Sequence, residues 1–232
     1  MLKSFSCFRV FFRLIACVYL CSLSLAQAAN LGNEMSRDNL MVVLRESIGR
    51  NKLDDNLVPT GKQRAKLASG QEIEIEMAHF EFIGDMHIRF VFDGPRSMRN
   101  ATPQDLSNLG LSTSEALQVA IENIKRVYGS PEASVWSDGL MQVNGQSPDL
   151  DSSYFLDHDF WIKLGKKYPE GIVVAVPKRG GLLFAPVSDD RTISQLRKAI
   201  SLLYSSSGSL RISSALYLFK DGKWSVFQAP EK

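Results

Sequence analysis

Cysteine is absent from nearly all of this sequence. The three cysteines, Cys7, Cys17 and Cys21, all fall within the first 21 residues. The chain from residue 22 onward therefore cannot form a disulfide, a thiolate nucleophile or a zinc–thiolate site. A hydrophobic core must hold this part of the chain together, and its length is ample for one.

The sequence motifs of common enzymes are also missing. There is no Gly-x-Ser-x-Gly elbow, no Ser-x-x-Lys, no His-Glu-x-x-His, no Walker loop and no Gly-x-Gly-x-x-Gly. Only one long apolar stretch occurs, at the N-terminus, which excludes a polytopic membrane protein. The sequence accordingly identifies no catalytic residue, no metal ligand and no cofactor.

The first 28 residues have the organisation of a secretory signal peptide. Lys3, Arg9 and Arg13 form a basic region, residues 14–25 are an apolar stretch, and residues 26–28 (Ala-Gln-Ala) fit a signal peptidase. Twelve helical residues span about 18 Å, which is less than the hydrocarbon core of a bilayer. We therefore expect cleavage near Ala28 and export to the periplasm or the medium. Retention of the segment as an anchor is the alternative.

Removal of the signal changes the charge balance. The whole chain has 27 basic and 25 acidic residues, whereas residues 29–232 have 24 and 25, a net charge of −1. Residues 50–70 are rich in Lys and Arg but have no interleaved aromatic residues, which is typical of a solvated loop. We expect no nucleic-acid partner, and contact with a membrane only through the transient signal.

The first part of the exported chain is predicted to contain a helix and a hairpin. Residues 36–49 have apolar side chains at helical spacing and end at a glycine, which predicts a helix. Residues 71–77 alternate between Glu and apolar residues, as in a half-buried strand. Gly84-Asp85 then predicts a two-residue turn into a second strand, Met86–Asp93, with residue 79 opposite residue 90 and residue 82 opposite residue 87.

The remainder predicts an α+β fold in which antiparallel β-hairpins pack against amphipathic helices. A capped helix follows Ser112, two weak strands follow it, and a linker-like run covers residues 144–153. The C-terminal part has the order β-β-α-β-β, beginning with the apolar run 172–176. We expect a single domain over residues 29–232, with two lobes, about 29–143 and 154–232, as the alternative.

The histidines are the first candidates for chemistry. His79 and Glu81 share one face of the predicted strand, whereas the expected register places His87 on the other face. We therefore interpret His79 and His87 as structural, although a one-residue bulge would reverse this conclusion. In Asp157-His158-Asp159, the aspartates at a helix start are more simply explained as caps.

Two basic segments are candidate anion sites. Arg96 and Arg99 follow a strand end and could bind an anion in a bidentate manner, although an Asp93–Arg96 turn pair is the simpler explanation. The segment from Pro177 to Gly181 offers two cations and backbone amides at a hairpin tip, where a plain soluble turn is more common.

Residues of about 90–228 resemble the YtpQ-like family of bacterial proteins, a domain of unknown function. The resemblance is carried by FDGPRSMRNATPQDL, by DFWIKLGKKYPEGIVVAVPKRGGLLFAPV and by the closing LYLFKDGKWSVF. The signal peptide and the inserted segment 135–153 depart from the family pattern. The resemblance implies a related fold and supplies no activity.

The sequence favours a non-enzymatic binding or interaction protein of the cell envelope. This expectation rests on the export signal, the missing catalytic motifs and the apolar-rich hairpins, and its partner is an unidentified protein or small molecule. The alternative is a hydrolase that uses carboxylate and histidine, with Asp157, His158 and Asp159, or His79 and Glu81, as its only tools. That alternative requires these groups to converge in one cleft.

Overall fold

Two antiparallel sheets, a separate hairpin and four α-helices make up residues 35–231, the part of the chain that the computed structural model describes. The predicted signal peptide lies outside the described residues. The strands are β1 (Leu40–Glu46), β2 (Val58–Pro59), β3 (Lys62–Lys66), β4 (Glu72–Glu76), β5 (His79–Glu81), β6 (Met86–Asp93), β7 (Met98–Asn100), β8 (Glu132–Ser137), β9 (Leu140–Asn144), β10 (Ile172–Lys178), β11 (Gly181–Pro186), β12 (Leu216–Lys220) and β13 (Lys223–Gln228). The helices are α1 (Pro103–Asn108), α2 (Thr113–Tyr128), α3 (His158–Gly165) and α4 (Asp190–Ser206).

The first sheet has the order β1-β6-β5-β2, with β7 added beside β6, and the second has the order β13-β12-β10-β11-β9-β8. Strands β3 and β4 form a small sheet of their own. The fold is thus α+β, as predicted, and the C-terminal part follows the predicted order β10-β11-α4-β12-β13.

One hydrophobic core joins elements from both parts of the chain. It contains most of β1 and β6 together with apolar residues of β10 and β12. Its centre is aromatic: Phe155, in the 3-10 helix Asp151–Leu156, stacks on Trp224 with ring centroids 4.0 Å apart, and Trp161 meets Trp224 edge-on at 5.3 Å. Fully buried aromatic rings of this kind contribute several kcal/mol each to a core. A second, smaller cluster lies where α4 covers β10 and β11.

The predicted helix over residues 36–49 is wrong. A short 3-10 helix, Arg37–Asn39, leads directly into strand β1. Residues 40–44 are Leu-Met-Val-Val-Leu, and all five are at most 2% exposed. A continuous apolar run buried on both faces suits a strand, whereas an amphipathic helix would have turned part of it towards water.

The predicted hairpin is also wrong in its partner strand and in its register. Strand β4 pairs with β3, and the partner of β6 is the short strand β5. The connection is a four-residue loop, residues 82–85, and it places His79 opposite Arg89 and Glu81 opposite His87. The expected register differs from the observed one by a single residue. A slip of one residue reverses the face of every side chain, so His79 and His87 lie on the same face.

The loop between β5 and β6 is fixed to the second sheet by a buried aspartate. Asp85 accepts hydrogen bonds from the hydroxyl groups of Ser213 and Tyr217, the latter at 3.0 Å. Burial raises the pKa of Asp85, and the hydrogen bonds from Ser213 and Tyr217 oppose that rise. Gly84 lies directly against the Tyr217 ring with φ +65°, where a Cβ atom would collide with the Tyr217 hydroxyl.

We expect Gly84→Ala to destabilise the fold by more than Gly49→Ala. Both glycines have positive φ, +65° and +76°, so both variants incur the backbone strain of about 1–2 kcal/mol. Gly49 has open space beside it, whereas Gly84 faces a fully buried tyrosine, and overpacking there adds about 1–3 kcal/mol. Urea unfolding of the two variants measures the difference. Equal losses of stability in the two variants would show that the Tyr217 side chain moves to accommodate the methyl group of Gly84→Ala.

Candidate anion-binding site

One face of the first sheet carries two rows of polar and charged side chains. In the first row Arg45 on β1, His87 on β6 and Glu81 on β5 are direct cross-strand neighbours. In the second row Arg89 on β6 lies between Val43 and His79. Cross-strand neighbours on one face stand about 4.5–5.5 Å apart at Cβ, so these side chains form one group.

A cleft of about 300 Å³ opens over this group. Its lining consists of Ser47, Ile48, Arg50, Thr60, Gln63, His79, Glu81, His87 and Arg89. We call it the arginine cleft and use that name for these lining residues. Two further arginines lie close to the cleft. Arg45 contributes to the lowered pKa values of His79 and His87, and Arg179 contributes to the lowered pKa of Arg89.

His87 is held as a neutral ring with a defined tautomer. The Nε–H of Arg89 donates to His87 Nε2 over 2.8 Å, so Nε2 carries no proton. Nδ1 must then carry it and donates to the Ser47 hydroxyl oxygen at 2.9 Å. Burial and the positive charge of Arg89 lower the pKa of His87 to about 4. Both ring nitrogens are committed to neighbours within the protein.

His79 is buried with one nitrogen unsatisfied. The residue is 6% exposed, and its Nε2 has no hydrogen-bond partner among the described residues. Burial, followed by the charge of Arg89, lowers the pKa of His79 to about 4, so this ring is neutral as well. The His79 and His87 ring centroids are 6.0 Å apart. A buried polar atom without a partner is rare, and a bound water or ion is one of the explanations for it.

Arg45 and Arg89, which lie near the two histidines, and Arg179, which lies near these arginines, have no acidic partner among the described residues. Each ion pair formed by residues 35–231 involves other basic side chains, and none involves Arg45, Arg89 or Arg179. Burial lowers the pKa of Arg45 to about 10, with further contributions from Arg179 and then Arg89. Burial and Arg179 also lower the pKa of Arg89. The guanidinium groups therefore repel one another in a partly desolvated place.

Arg179 reaches this group from the second sheet. It belongs to the turn between β10 and β11, within the basic tip identified in the sequence. Its backbone bonds to Ser152 and Leu210, and its buried Nε has no partner among the residues that the structure describes. The site thus combines a hairpin tip of one sheet with a face of the other.

The acidic group of the cleft is Glu81. One of its carboxylate oxygens lies 3.3 Å from Arg50, a largely exposed residue, and the other has no partner in residues 35–231. A surface pair of this kind is weak, so Glu81 remains available to a ligand.

The predicted anion-site residues Arg96 and Arg99 lie elsewhere, and both are exposed. Arg99 on β7 pairs with Asp105 at 3.0 Å and lies over the Phe92 ring. Asp93, expected as the turn partner of Arg96, accepts a hydrogen bond from the Tyr128 hydroxyl. The structure does not test anion binding by Arg96 and Arg99, which stays a prediction.

The Asp157-His158-Asp159 group lies in a different cleft. Asp157 caps α3 by accepting from the Phe160 amide at 3.3 Å, as predicted, and it also pairs with Lys125 at 3.3 Å. His158 bonds to the Gly222 carbonyl oxygen at 2.8 Å. The lining of this cleft shares no residue with that of the arginine cleft. The Asp157–Asp159 group and the pair His79 and Glu81 are therefore not brought together, whereas His79 and Glu81 both line the arginine cleft.

A larger cleft of about 750 Å³ lies beside the end of α2. Two of its charged groups already have partners, since Arg126 bonds to the Asp38 carbonyl and to Asn123, and Asp93 accepts from Tyr128. Size alone therefore does not make it the better candidate. The arginine cleft differs because Arg89 has no carboxylate partner among the described residues and the buried Nε2 of His79 is unsatisfied.

Sequence reasoning missed Arg45 and Arg89. A usable signal was present in Met86–Asp93, where His87 and Arg89 alternate with apolar residues and must share a face. A basic residue at the centre of such a buried strand is unusual and merits attention. The contribution of Arg45 and Arg179 was not visible, because it depends on strand pairing and on the approach of the second sheet.

Comparison of the chain with protein-family models, curated proteins and solved structures finds no match. The resemblance to the YtpQ-like family stays a prediction. No helix within residues 35–231 is long and apolar enough to span a bilayer. Over the same residues, no three His, Cys, Asp or Glu side chains are grouped so that they could hold a metal ion.

We expect Arg89→Met to raise the pKa of both His79 and His87 above about 4. Arg89 is the second-largest cause of both depressed values, and burial, the largest cause, remains in the variant. Both pKa values should therefore stay below 6.5. NMR titration of the imidazole nitrogens measures the change. Arg197→Met is the matched control, because Arg197 contacts Gln228 and Phe227 instead. Unchanged histidine pKa values in Arg89→Met would contradict the assigned geometry.

Proposed function

We propose that this chain is an exported, non-enzymatic binding protein of the cell envelope, and that its ligand is an anion held in the arginine cleft. The observation that carries the proposal is the group formed by Arg45, Arg89 and Arg179. Arg45 and Arg89 are partly desolvated, the Nε of Arg179 is buried without a partner, and none of the three has a carboxylate partner among the described residues.

Such a group of arginines lowers the free energy of unfolding of the unliganded protein. Removing a charge from water without pairing it is unfavourable, and like charges in a medium of reduced dielectric add to that cost. A bound anion removes both penalties, because it supplies the opposite charge and accepts the free guanidinium hydrogens. The terminal nitrogens of Arg89 have no acceptor in residues 35–231, so they are available to such a ligand.

Two of the groups considered for a hydrolase are unsuited to that role. A general base needs a free nitrogen within reach of its substrate, and both His87 nitrogens are engaged by Arg89 and Ser47. The Asp157–Asp159 group lies in a separate cleft. His79, with a free Nε2, and Glu81 share the arginine cleft, and the arginines without a carboxylate partner beside them favour the binding role over the hydrolase.

Anion binding can be measured directly on the exported chain. We expect at least one multivalent anion among phosphate, sulfate and citrate to bind saturably in isothermal titration at low ionic strength, with weaker binding as salt is added. Arg89→Met should weaken this binding about tenfold or more, because a charge-assisted contact is lost. Arg197→Met should bind as the native chain does.

Two results would contradict the anion-binding function. One is the absence of saturable binding by every anion in the panel. The other is binding of equal strength in the native chain and in Arg89→Met, since the ligand would then lie elsewhere.

Export is tested by expressing the full chain in a bacterial host. We expect the protein in the periplasmic or external fraction, with a mass that lacks residues 1–28. Ala28→Arg should prevent processing, because the peptidase requires a small residue there, whereas Asn30→Ser should not. Recovery of the native chain at full mass from the cytoplasmic fraction would contradict cleavage and export.

A further inference from the structure

Glu81 is an unexpected component of an anion site. It lines the arginine cleft, it is the cross-strand neighbour of His87, and its side chain is 32% exposed. A carboxylate repels an anion and accepts hydrogen bonds without donating any. Glu81 therefore disfavours any anion that has only acceptor oxygens to present to it.

The common anions differ in whether they keep a proton near neutral pH. Sulfate and simple carboxylates such as acetate present only acceptors. Inorganic phosphate near neutral pH still carries at least one P–OH group, so it presents a donor together with its acceptor oxygens. A phosphate monoester is nearly fully ionised at the same pH and loses that donor.

The cleft offers partners for both parts of a protonated phosphate. The terminal nitrogens of Arg89 can donate to its oxygens. The Ser47 hydroxyl hydrogen is also free, because Ser47 Oγ already accepts from His87 Nδ1. The free oxygen of Glu81 can accept from the P–OH group. Arg45 and Arg179 balance the charge of a dianion from close by.

Building on the anion-binding function proposed above, we propose that the ligand is inorganic phosphate carrying a proton, with Arg89 and Ser47 as donors to its oxygens and Glu81 as the acceptor that selects it. The unpartnered Nε2 of His79 is buried beside this position. With its one P–OH group donated to Glu81, HPO₄²⁻ still has oxygens that can accept from that nitrogen when His79 carries its proton on Nε2.

The test compares anions of similar size that differ in the proton. Isothermal titration of the exported chain uses inorganic phosphate, arsenate, sulfate and methyl phosphate. Phosphate and arsenate both carry a proton near neutral pH and should bind with similar affinity. Sulfate and the monoester should bind about tenfold more weakly or worse, because Glu81 repels them and one hydrogen bond is missing.

Glu81→Gln tests the origin of the selectivity. An amide at this position carries no charge and can donate a hydrogen bond to sulfate. Sulfate should therefore bind more tightly, and the difference in affinity between phosphate and sulfate should disappear. Glu122→Gln is the matched control, because Glu122 lies on α2 and is hydrogen-bonded to Gln118. This variant should retain the difference in affinity between phosphate and sulfate. Thermal unfolding of each variant verifies that it folds. The comparison of arsenate with sulfate in the native chain needs no variant.

The outcomes separate the two proposals. Sulfate binding as tightly as phosphate, with all binding lost in Arg89→Met, would overturn the phosphate assignment and leave anion binding in place. Persistence of the phosphate preference in Glu81→Gln would overturn the role of Glu81. Failure of every anion to bind would overturn the anion-binding function and, with it, the ligand.

Discussion

The antiparallel pairing of β5 with β6 is the contact on which the candidate site depends. It places His79 opposite Arg89 and Glu81 opposite His87, so that two imidazoles, a guanidinium and a carboxylate share one sheet face. Because side chains alternate between faces with a period of two, a register shifted by one residue would disperse this group. The four-residue loop between the strands, fixed through Asp85 to Ser213 and Tyr217, holds the register.

The candidate site lowers the stability of the folded chain, and the rest of the fold compensates for this loss. Arg45 and Arg89 are partly desolvated beside two neutral histidines, Arg179 approaches them, and no acidic group among the described residues forms an ion pair with any of the three. The large core around Phe155, Trp161 and Trp224, which joins both sheets, supplies the stability that offsets such a group. Functional sites commonly retain unfavourable electrostatics of this kind because the ligand relieves them.

Local patterns predicted the C-terminal elements well and the N-terminal ones poorly. Residues 172–176 are apolar throughout and lie in a strand covered on both faces, and Asp157 caps its helix as its position indicates. In contrast, the apolar run 40–44 fits helical spacing as well as a buried strand, and only burial on both faces separates the two. Strand β5 has three residues, too few for its own pattern to reveal its partner.

The sequence by itself determined the α+β class, the lack of cysteine beyond residue 21, and the alternation that puts His87 and Arg89 on one face of a strand. These properties depend on composition and on the two-residue period of a strand, which are local. Only the tertiary structure decided that His79 and His87 face the same side, and that Arg179 approaches from the second sheet. Both depend on strand register and sheet packing, which contacts between distant residues select and local propensity does not encode.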